Sequence, residues 1–316
     1  MIRRIITLLE SSCWNIGFAT ISAEQLLRNP HLLSHRIQWL KHPYKDRFFA
    51  DPFFLNVDNN CIEVMVEEYM FSTKHGRLVV LKINRSDFSL VERRVLLDID
   101  SHLSYPIDFR YDNNHYLYPE NGACNHLPLY LFKDGELEYL YDIITPQMMS
   151  EVMSDSWLAD ATMININQKY YILATPTKTN DKLVIFTSDS PVGKFSPLLD
   201  LGIKNNVKNS RSAGKFFEVN GGLFRPTQNC ALGYGNSINI QKIVSLTDTS
   251  FDEISVLEIQ PLSHKYDRGI HTLNFESELC VVDGRGYRYP VARYILPVIY
   301  FFNRLFVSIR KYFSFE

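Results

Sequence analysis

The segment ADPFFLNVDNNCIEVMVEE, residues 50–68, contains the pattern that decides the fold. An acidic residue precedes a run of apolar and aromatic residues, an Asp-Asn-Asn turn follows, and a second apolar run returns to a pair of glutamates. Apolar runs on both sides of a turn rich in Asn and Asp are typical of a β-hairpin. The segment therefore predicts two antiparallel strands that bring polar side chains to one shared end.

The same unit recurs four more times along the chain. The further copies are SYPIDFRYDNNHYLYPEN (104–121), ADATMININQKYYILAT (159–175), SAGKFFEVNGGLFRPTQN (212–229) and HTLNFESELCVVDG (271–284). With Asp51, Tyr105, Asp160, Ala213 and His271 as equivalent positions, successive copies are 54, 55, 53 and 58 residues apart. A period of about 50 residues is typical of propeller blades. The sequence predicts an all-β, five-bladed β-propeller with a C-terminal helix.

The stretches between the hairpins predict the outer strands of the blades. They include GRLVVLKI, LYLFKDGELEYLY, KLVIFTS and INIQKIVSL. A two-sheet sandwich could also use many short strands, but it does not explain the period. A parallel sheet with helices is disfavoured because helical patterns occur only near the two ends. We expect a propeller over residues 1–290 and an amphipathic helix over residues 291–316.

The two ends of the chain carry distinct patterns. We interpret the N-terminal MIRRIITLLESS as a first strand, because its apolar run is shorter than that of a signal peptide. Ser22 with Gln25 three residues later predicts a capped helix. The apolar run from Tyr294 to Phe302 is too short to span a bilayer. The basic helix over residues 293–313 therefore either packs on the propeller wall or lies on a membrane surface.

Composition limits the classes of function. A net charge of −2 gives no basic field for a nucleic acid, so we expect no nucleic-acid partner. The five cysteines are scattered and contain no CxxC pair, which favours a reducing compartment over a disulfide framework or a zinc site. We therefore expect a cytoplasmic protein at the inner face of the membrane. The sequence predicts no cofactor and no metal site.

In a propeller, the innermost strands converge on one channel, so the hairpin alignment predicts a constellation of polar residues there. We predict catalytic roles for the four carboxylates Asp51, Glu68, Glu120 and Asp160. We predict substrate-binding roles for Arg211, Arg225, Gln228, His271 and Asp283. Glu67 and Glu68 face opposite ways on a strand, and Glu68 is the one assigned to the channel. Carboxylates in this number are suited to acid, base or nucleophilic roles at an anomeric carbon.

Each candidate also has a structural interpretation. Asp51 precedes a proline and fits a strand entry, and Asp283 fits a turn. The two arginines could neutralise buried carboxylates, and His271 could be a hydrogen-bonded rim residue. We expect Trp14 and Trp157 to belong to the core.

The order of several motifs resembles one known family. FFADPFF, VEEY, SYPIDFRYDNNHYLYPEN, DATMININQKYYILAT, NSRSAGKFF, RPTQNCALGYGNSI and GIHTLNF are similar to the N-terminal propeller domain of plant glucosamine inositolphosphorylceramide transferases and related bacterial proteins. The resemblance covers residues 14–284. More remotely, the chain resembles glycoside hydrolases of families 43 and 32, which implies a base or nucleophile at Asp51 and a pKa-tuning or sugar-binding role for Asp160.

The chain also departs from these patterns. The segment from Arg225 to Cys230 has no carboxylate where the hydrolases place a general acid, and Asn229 stands where the family commonly has Asp. In the plant enzymes, transferase activity is attributed to a different, C-terminal domain. The resemblance therefore implies the fold more directly than the reaction.

Three functions remain open at this point. The first is a carbohydrate-active enzyme of cell-surface polysaccharide or glycolipid biosynthesis that transfers a glycosyl unit in the axial pocket. The second is a non-catalytic, glycan-binding or accessory propeller. The third is a glycoside hydrolase. We expect a sugar or glycolipid substrate and a membrane surface, contacted through residues 293–313, as partners.

Overall fold

The computed structural model of the chain contains five antiparallel sheets arranged as propeller blades, which confirms the predicted fold. The structure describes residues 2–122, 124–152, 157–176, 179–201 and 204–313, and for residues 2–4 and 303–313 it describes the backbone alone. The chain begins with α1 (Ile2–Leu9), β1 (Ser12–Thr20), α2 (Ala23–Arg28), α3 (His31–Arg36) and β2 (Gln38–Trp39).

Each of blades I to IV is formed by one continuous segment of the chain. Blade I contains β3 (Arg47–Val57), β4 (Cys61–Met70), β5 (His75–Asn84) and β6 (Leu90–Leu97). Blade II contains β7 (Leu103–Tyr111), β8 (Asn114–Asn121), β9 (Leu127–Lys133) and β10 (Glu136–Ile144), and α4 (Pro146–Val152) follows it. Blade III contains β11 (Leu158–Ile166), β12 (Lys169–Pro176), β13 (Lys182–Ser188), β14 (Ser196–Pro197) and β15 (Lys204–Asn205), with a 3₁₀ helix at Leu199–Leu201. Blade IV contains β16 (Phe217–Val219), β17 (Gly222–Asn229), β18 (Ser237–Leu246) and β19 (Phe251–Ile259).

Blade V closes the ring with strands from both ends of the chain. Its last two strands are β20 (Leu273–Glu276) and β21 (Leu279–Tyr287), and the sheet order is β2-β1-β21-β20. β1 pairs with β21 along its full length, from Ser12 opposite Tyr287 to Thr20 opposite Leu279. The hydrogen bonds between these two strands therefore hold the N-terminal strand against the C-terminal hairpin.

The interpretation of the N-terminus as a strand is wrong. Residues 2–9 form α1, because Ile2, Ile5, Ile6 and Leu9 have the i, i+3, i+4, i+7 spacing of an amphipathic helix. A strand begins only at Ser12.

The capped helix near the N-terminus is confirmed. The Ser22 Oγ atom accepts a hydrogen bond from the Gln25 amide at 3.3 Å, and the Gln25 side chain accepts one from the Ser22 amide at 3.1 Å. This reciprocal pair satisfies two amides at the start of α2.

The chain ends in α5 (Ala292–Phe313), which contains Pro297. Its first half leaves large apolar side chains exposed, including Tyr294, Val298, Phe301 and Phe302. Among the helices of the described residues, none is long and apolar enough to cross a membrane.

Three inner strands contain a β-bulge near their N-terminal ends, close to the propeller axis. β3, β7 and β11 each change register with their partner strand around Asp51, Tyr105 and Asp160, where the backbone has φ of 49°, 46° and 49°. A bulge of this kind redirects side chains, and non-glycine residues at positive φ cost about 1–3 kcal/mol each. The repeat therefore places the same strained bulge near the axis in three blades.

Tyr105, on β7 of blade II, contacts blades I and III and the segment before blade IV. Its hydroxyl is hydrogen-bonded to the Thr162 hydroxyl of blade III at 2.9 Å and accepts the amide N–H of Gly214, just before blade IV, at 2.7 Å. The ring packs edge-on against Phe53 of blade I in the main apolar core. These contacts fill the axis with side chains.

Candidate functional site

A cavity of about 210 Å³ lies at the end of the axis where the bulges occur. Its wall combines carboxylates, basic groups and aromatic rings. The lining residues are Trp14, Phe48, Asp51, Glu67, Tyr69, His102, Ser104, Glu120, Asp160, Arg211, Tyr234 and His271. We call this space the axial cavity. A wider opening of about 560 Å³ shares His102, Glu120, Arg211 and Tyr234 with it and adds Trp157.

The structure brings together most of the residues predicted for the channel. Asp51, Glu120, Asp160, Arg211 and His271 all line the axial cavity. Two further predicted residues, Gln228 and Asp283, lie directly behind the cavity wall. Gln228 donates to Asp160 at 2.8 Å, and Asp283 contacts His271. Glu68 and Arg225 lie elsewhere.

The assignment of Glu68 to the channel is wrong. Its neighbour Glu67 faces the cavity, while the fully buried Glu68 carboxylate accepts hydrogen bonds from Arg47 at 3.0 Å, from Arg77 at 2.8 Å and from Arg93. Burial alone would raise the pKa of Glu68, but these three guanidinium groups outweigh it and hold the pKa below its usual range. Glu68 therefore stabilises blade I as a carboxylate.

The placement of Arg225 in the channel is also wrong. Its guanidinium is fully buried inside blade IV, where it donates to the Glu253 carboxylate at 3.0 and 2.9 Å and to the Asn209 carbonyl at 2.6 Å. Residues three apart on a strand point to opposite faces, so Gln228 reaches Asp160 while Arg225 points away. The structural interpretation of this arginine, as the partner of a buried carboxylate, fits the geometry.

Cavity carboxylates also bind backbone amides of the next blade. Asp283 accepts the Asp51 amide at 3.2 Å, Asp51 accepts the Tyr105 amide at 3.3 Å, and Glu120 accepts the Asp160 amide at 3.1 Å. Each amide belongs to one of the bulged residues, whose N–H no longer points along its own sheet. These carboxylates thus hold neighbouring blades in register, and two of them, Asp51 and Glu120, also line the cavity.

Asp160 has a direct positive partner in the cavity wall, Arg211. It accepts hydrogen bonds from the Arg211 Nε atom and from the Gln228 amide at 2.8 Å. The Arg211 guanidinium also lies 4.8 Å from the centre of the Tyr234 ring, in cation–π contact. Arg211 therefore joins a charged pair and an aromatic surface at the cavity wall.

His271 is held between an aromatic ring and two carboxylates. Its ring stacks on Trp14 with centroids 3.9 Å apart, its Nδ1 atom donates to Asp283 at 2.5 Å, and its Nε2 atom lies 3.8 Å from Asp51. Burial favours the neutral ring, but Asp283 and Asp51 outweigh it and raise the pKa of His271 to about 9. The imidazole is therefore protonated at neutral pH.

Asp51, His271 and Asp283 could together hold a metal ion, because their donor atoms all lie within 4.8 Å of one another. Among the described residues, this is the one group with such a geometry. Protonated His271 has no free lone pair for a metal. Asp283 already accepts the His271 and Thr272 amides at 2.9 and 3.0 Å. Without a metal, a proton on His271 satisfies this cluster, and a cation bound here would have to displace that proton.

Two carboxyl groups of the cavity are shifted toward their protonated forms. Burial, reinforced by Glu67 and Asp160 and opposed by His271, raises the pKa of Asp51 to about 7. Burial and the Asp160 charge, opposed by Arg211, raise the pKa of Glu120 to about 8. One cavity therefore offers a proton-donating carboxyl beside a carboxylate that ionises near neutrality, which is the combination used in general acid–base chemistry.

A family model described as "Glucosamine inositolphosphorylceramide transferase 1, N-terminal" matches residues 20–273. The chain belongs to this family. The resemblance expected from the motifs is thereby confirmed.

Curated proteins of this name are similar to about two thirds of the chain. Glucosamine inositolphosphorylceramide transferase 1 of Oryza sativa subsp. japonica is 29% identical over 220 residues, which are 67% of this chain and 28% of the rice protein. The Arabidopsis thaliana protein is 27% identical over 216 residues, 66% of this chain and 27% of its own length. The chain thus spans under a third of these relatives.

Two solved structures with a similar fold are complexes of enzymes with sugars. An α-L-arabinofuranosidase from Podospora anserina in complex with cellotriose has a TM-score of 0.53 at 11% identity, over 72% of this chain and 76% of that one. A family 43 glycoside hydrolase from Xanthomonas citri in complex with xylotriose has a TM-score of 0.51 at 14% identity, over 69% and 77% of the two chains. At these identities the likeness shows the fold.

Several cavity residues of this glucosamine inositolphosphorylceramide transferase family member were missed by the hairpin alignment. Trp14 is buried, as expected of a core residue, but it also lines the cavity, and Trp157 lies at the wider opening. Tyr234 and His102 come from segments outside the hairpins. For Tyr234 a signal existed, because the GYG loop follows Gln228 at the axial end of blade IV. Trp14 gave none, because β1 is far in sequence from β20 and β21, with which it forms blade V.

Proposed function

We propose that this protein is a carbohydrate-active enzyme of glycolipid or polysaccharide assembly and that it transfers a glycosyl unit in the axial cavity, at the cytoplasmic face of a membrane. The names of its curated relatives support a sugar-linked and glycolipid-linked role. The observation that carries the proposal is the pair of carboxyl groups with raised pKa, Asp51 and Glu120, on the wall of one cavity.

The cavity gives each group a distinct role. Glu120, with a pKa of about 8, is protonated at neutral pH and serves as the general acid that protonates a leaving oxygen. Asp51, with a pKa of about 7, provides the carboxylate that acts as base or nucleophile. The rings of Trp14 and Tyr234 offer flat apolar surfaces for a sugar, and Arg211 supplies a fixed positive charge beside them.

This assignment predicts a narrow pH optimum. Glu120 loses its proton as the pH rises through about 8, and Asp51 gains one as the pH falls through about 7. The active state needs the first protonated and the second ionised, so kcat/KM should be bell-shaped with its maximum between these values. Initial rates measured across this range check it.

The direct test compares two variants that each remove one carboxylate. Purified full-length protein is incubated with a panel of nucleotide sugars and glycolipid acceptors, and products are identified by mass spectrometry. Glu120→Gln should lower the rate at least about 100-fold, the usual size of an acid–base contribution. Glu218→Gln, at an exposed position of blade IV, should change nothing. Equal rates for Glu120→Gln and wild type would refute the catalytic assignment.

A second function, glycan binding without catalysis, is favoured by one specific observation. Asp51 and Glu120 each accept an amide of the neighbouring blade, which gives both a structural reason to be present. In that case wild-type protein binds an oligosaccharide in calorimetry but yields no product with any donor. Loss of binding in an Arg211→Gln variant, with retention in Arg110→Gln, would then assign the axial cavity as the binding site.

A further inference from the structure

A second cavity lies on the blade V side of the axial cavity. It has a volume of about 620 Å³ and is bordered by the start of β1, the segment after β2, residues 265–266, and the segment from the end of β21 into α5. Trp14 lines both this space and the axial cavity, so the two cavities meet at this residue. We call this space the blade V groove.

The groove concentrates positive charge. Lys41, Lys265, Arg288 and Arg293 line it beside the imidazole of His42, and among its described lining residues there is no aspartate or glutamate. This is a marked local imbalance in a chain whose net charge is −2. Outside the lining, Asp267 pairs with Arg293 at 2.8 Å. Burial together with the Lys265 and Arg47 charges lowers the pKa of His42, as expected in a positive field.

Polar atoms along the same wall have no partner. The Trp39 Nε1, His42 Nδ1 and Arg293 Nε atoms are buried without a hydrogen bond, and so is the Asn15 Oδ1 atom. Buried polar groups in folded proteins are nearly always hydrogen-bonded, so each of these exceptions needs an explanation. Two of them, on Trp39 and Arg293, are N–H donors, and all four belong to residues that line the groove. Because these atoms have almost no accessible surface, a bound anion would reach the Trp39 and Arg293 donors once the neighbouring side chains shift.

We propose that the blade V groove is a binding site for a phosphate group. Its charged side chains are all cationic, it holds unpaired N–H donors, and it is large enough for a phosphate with part of the molecule attached to it. Lysine and arginine beside N–H donors are the groups that recognise phosphate oxygens. The unpaired Asn15 oxygen is available to a hydroxyl of the same ligand.

The location of the groove suggests two sources for this phosphate. The groove lies against the start of α5, whose next turns expose Tyr294, Val298 and Phe301, so a phospholipid headgroup could enter from a membrane. A soluble phosphate compound could reach the same residues from the solvent. The binding chemistry is shared, and it is independent of whether sugar transfer occurs in the axial cavity.

The experiment measures binding without turnover, in two arms. In the first, isothermal titration calorimetry follows inorganic pyrophosphate binding to full-length protein. In the second, sedimentation follows binding to phosphatidylcholine vesicles with and without phosphatidate. Lys265→Glu reverses one charge of the groove at an exposed position, and Lys242→Glu makes the same change at an exposed position on β18. Trp39→Phe removes one N–H donor and keeps an aromatic ring.

We expect Lys265→Glu to lower affinity about tenfold or more and Trp39→Phe to lower it several-fold, whereas Lys242→Glu leaves it unchanged. If these variants lose affinity only for pyrophosphate, the phosphate comes from a soluble compound. If they lose affinity only for phosphatidate vesicles, it comes from a lipid headgroup. Absence of binding in both arms overturns the proposal, and so does an equal loss with Lys265→Glu and Lys242→Glu.

Discussion

Glu67 and Glu68 lie side by side on β4 and project to opposite faces of blade I, because successive side chains of a strand alternate. Glu68 is enclosed by three arginines, whereas Glu67 lines the axial cavity and lies 3.2 Å from His102. We predict that Glu68→Gln lowers the free energy of unfolding by about 3 kcal/mol, because it removes the buried carboxylate that three part-buried guanidinium groups share. Urea unfolding monitored by fluorescence measures this.

Glu67→Gln is the matched control at the adjacent position. It should change the free energy of unfolding by less than about 1 kcal/mol, because its partner His102 is partly exposed to solvent. Its effect should instead appear in ligand binding at the axial cavity. A Glu68→Gln variant as stable as wild type would contradict the structural role assigned to this residue.

Arg211 controls the proton affinity of a neighbouring carboxyl group. Its charge lowers the pKa of Glu120, opposing the effects of burial and of Asp160. We predict that Arg211→Met raises the pKa of Glu120 above its value of about 8, because removing a positive charge disfavours the carboxylate. Carbon-13 NMR titration of the side-chain carboxyl groups measures the change. Arg110→Met, at an exposed site on β7, should leave the titration as in wild type.

The position of each inner hairpin could be predicted from the sequence, but the direction of its side chains could not. Asp51, Tyr105 and Asp160 were aligned from sequence, and all three occupy the same bulge with positive φ. The error at Glu68 arises at such a bulge, because one extra residue in β3 changes which residues lie opposite each other in β4. Turn residues and apolar runs show where a hairpin lies, but no local pattern shows a bulge in advance.

The segment before β16 closely approaches blade V at Gly214. Gly214 has φ of 138°, and a Cβ atom there would lie 2.0 Å from the Leu273 carbonyl oxygen of blade V. We predict that Gly214→Ala lowers the free energy of unfolding by more than about 2 kcal/mol, because the conformation and the contact both exclude a side chain. Thermal and urea unfolding give the size of the loss.

Gly221, in the turn between β16 and β17, is the control for backbone conformation alone. It has φ of 73°, and an added Cβ would meet nothing within 4 Å. Gly221→Ala should therefore cost only about 1 kcal/mol. If the two variants were equally stable, the close approach at Gly214 would not constrain the packing of blades IV and V.

At the scale of the whole molecule, the period of the hairpins was enough to predict the ring of blades. The parts of the site that sequence missed come from ring closure and from loops. Trp14 reaches the cavity because β1 joins blade V, and Tyr234 reaches it from the loop after β17. Such neighbours are created by the closed topology rather than by local sequence, so the hairpin alignment identified the polar ring better than the aromatic wall.

We propose that α5 holds the propeller at an anionic membrane. Its first half exposes Tyr294, Val298, Phe301 and Phe302, and α1 adds exposed Ile5 and Leu8 near it. The basic residues Arg304, Arg310 and Lys311 of the same helix lie where the structure describes the backbone alone. Apolar burial at the interface, with about 1 kcal/mol for each basic residue near an anionic surface, would favour binding.

Deletion of residues 294–316 should release the protein from anionic vesicles while the propeller stays folded and soluble. This deletion retains Arg293 and with it the blade V groove. Sedimentation with phosphatidylserine vesicles compares the full-length protein, the truncated protein and a Phe301→Ser, Phe302→Ser variant of full length, which should bind more weakly than wild type. Equal partitioning of all three would show that α5 packs on the propeller wall. The membrane face proposed for the reaction would then have no support from this helix, while the axial cavity would be unaffected.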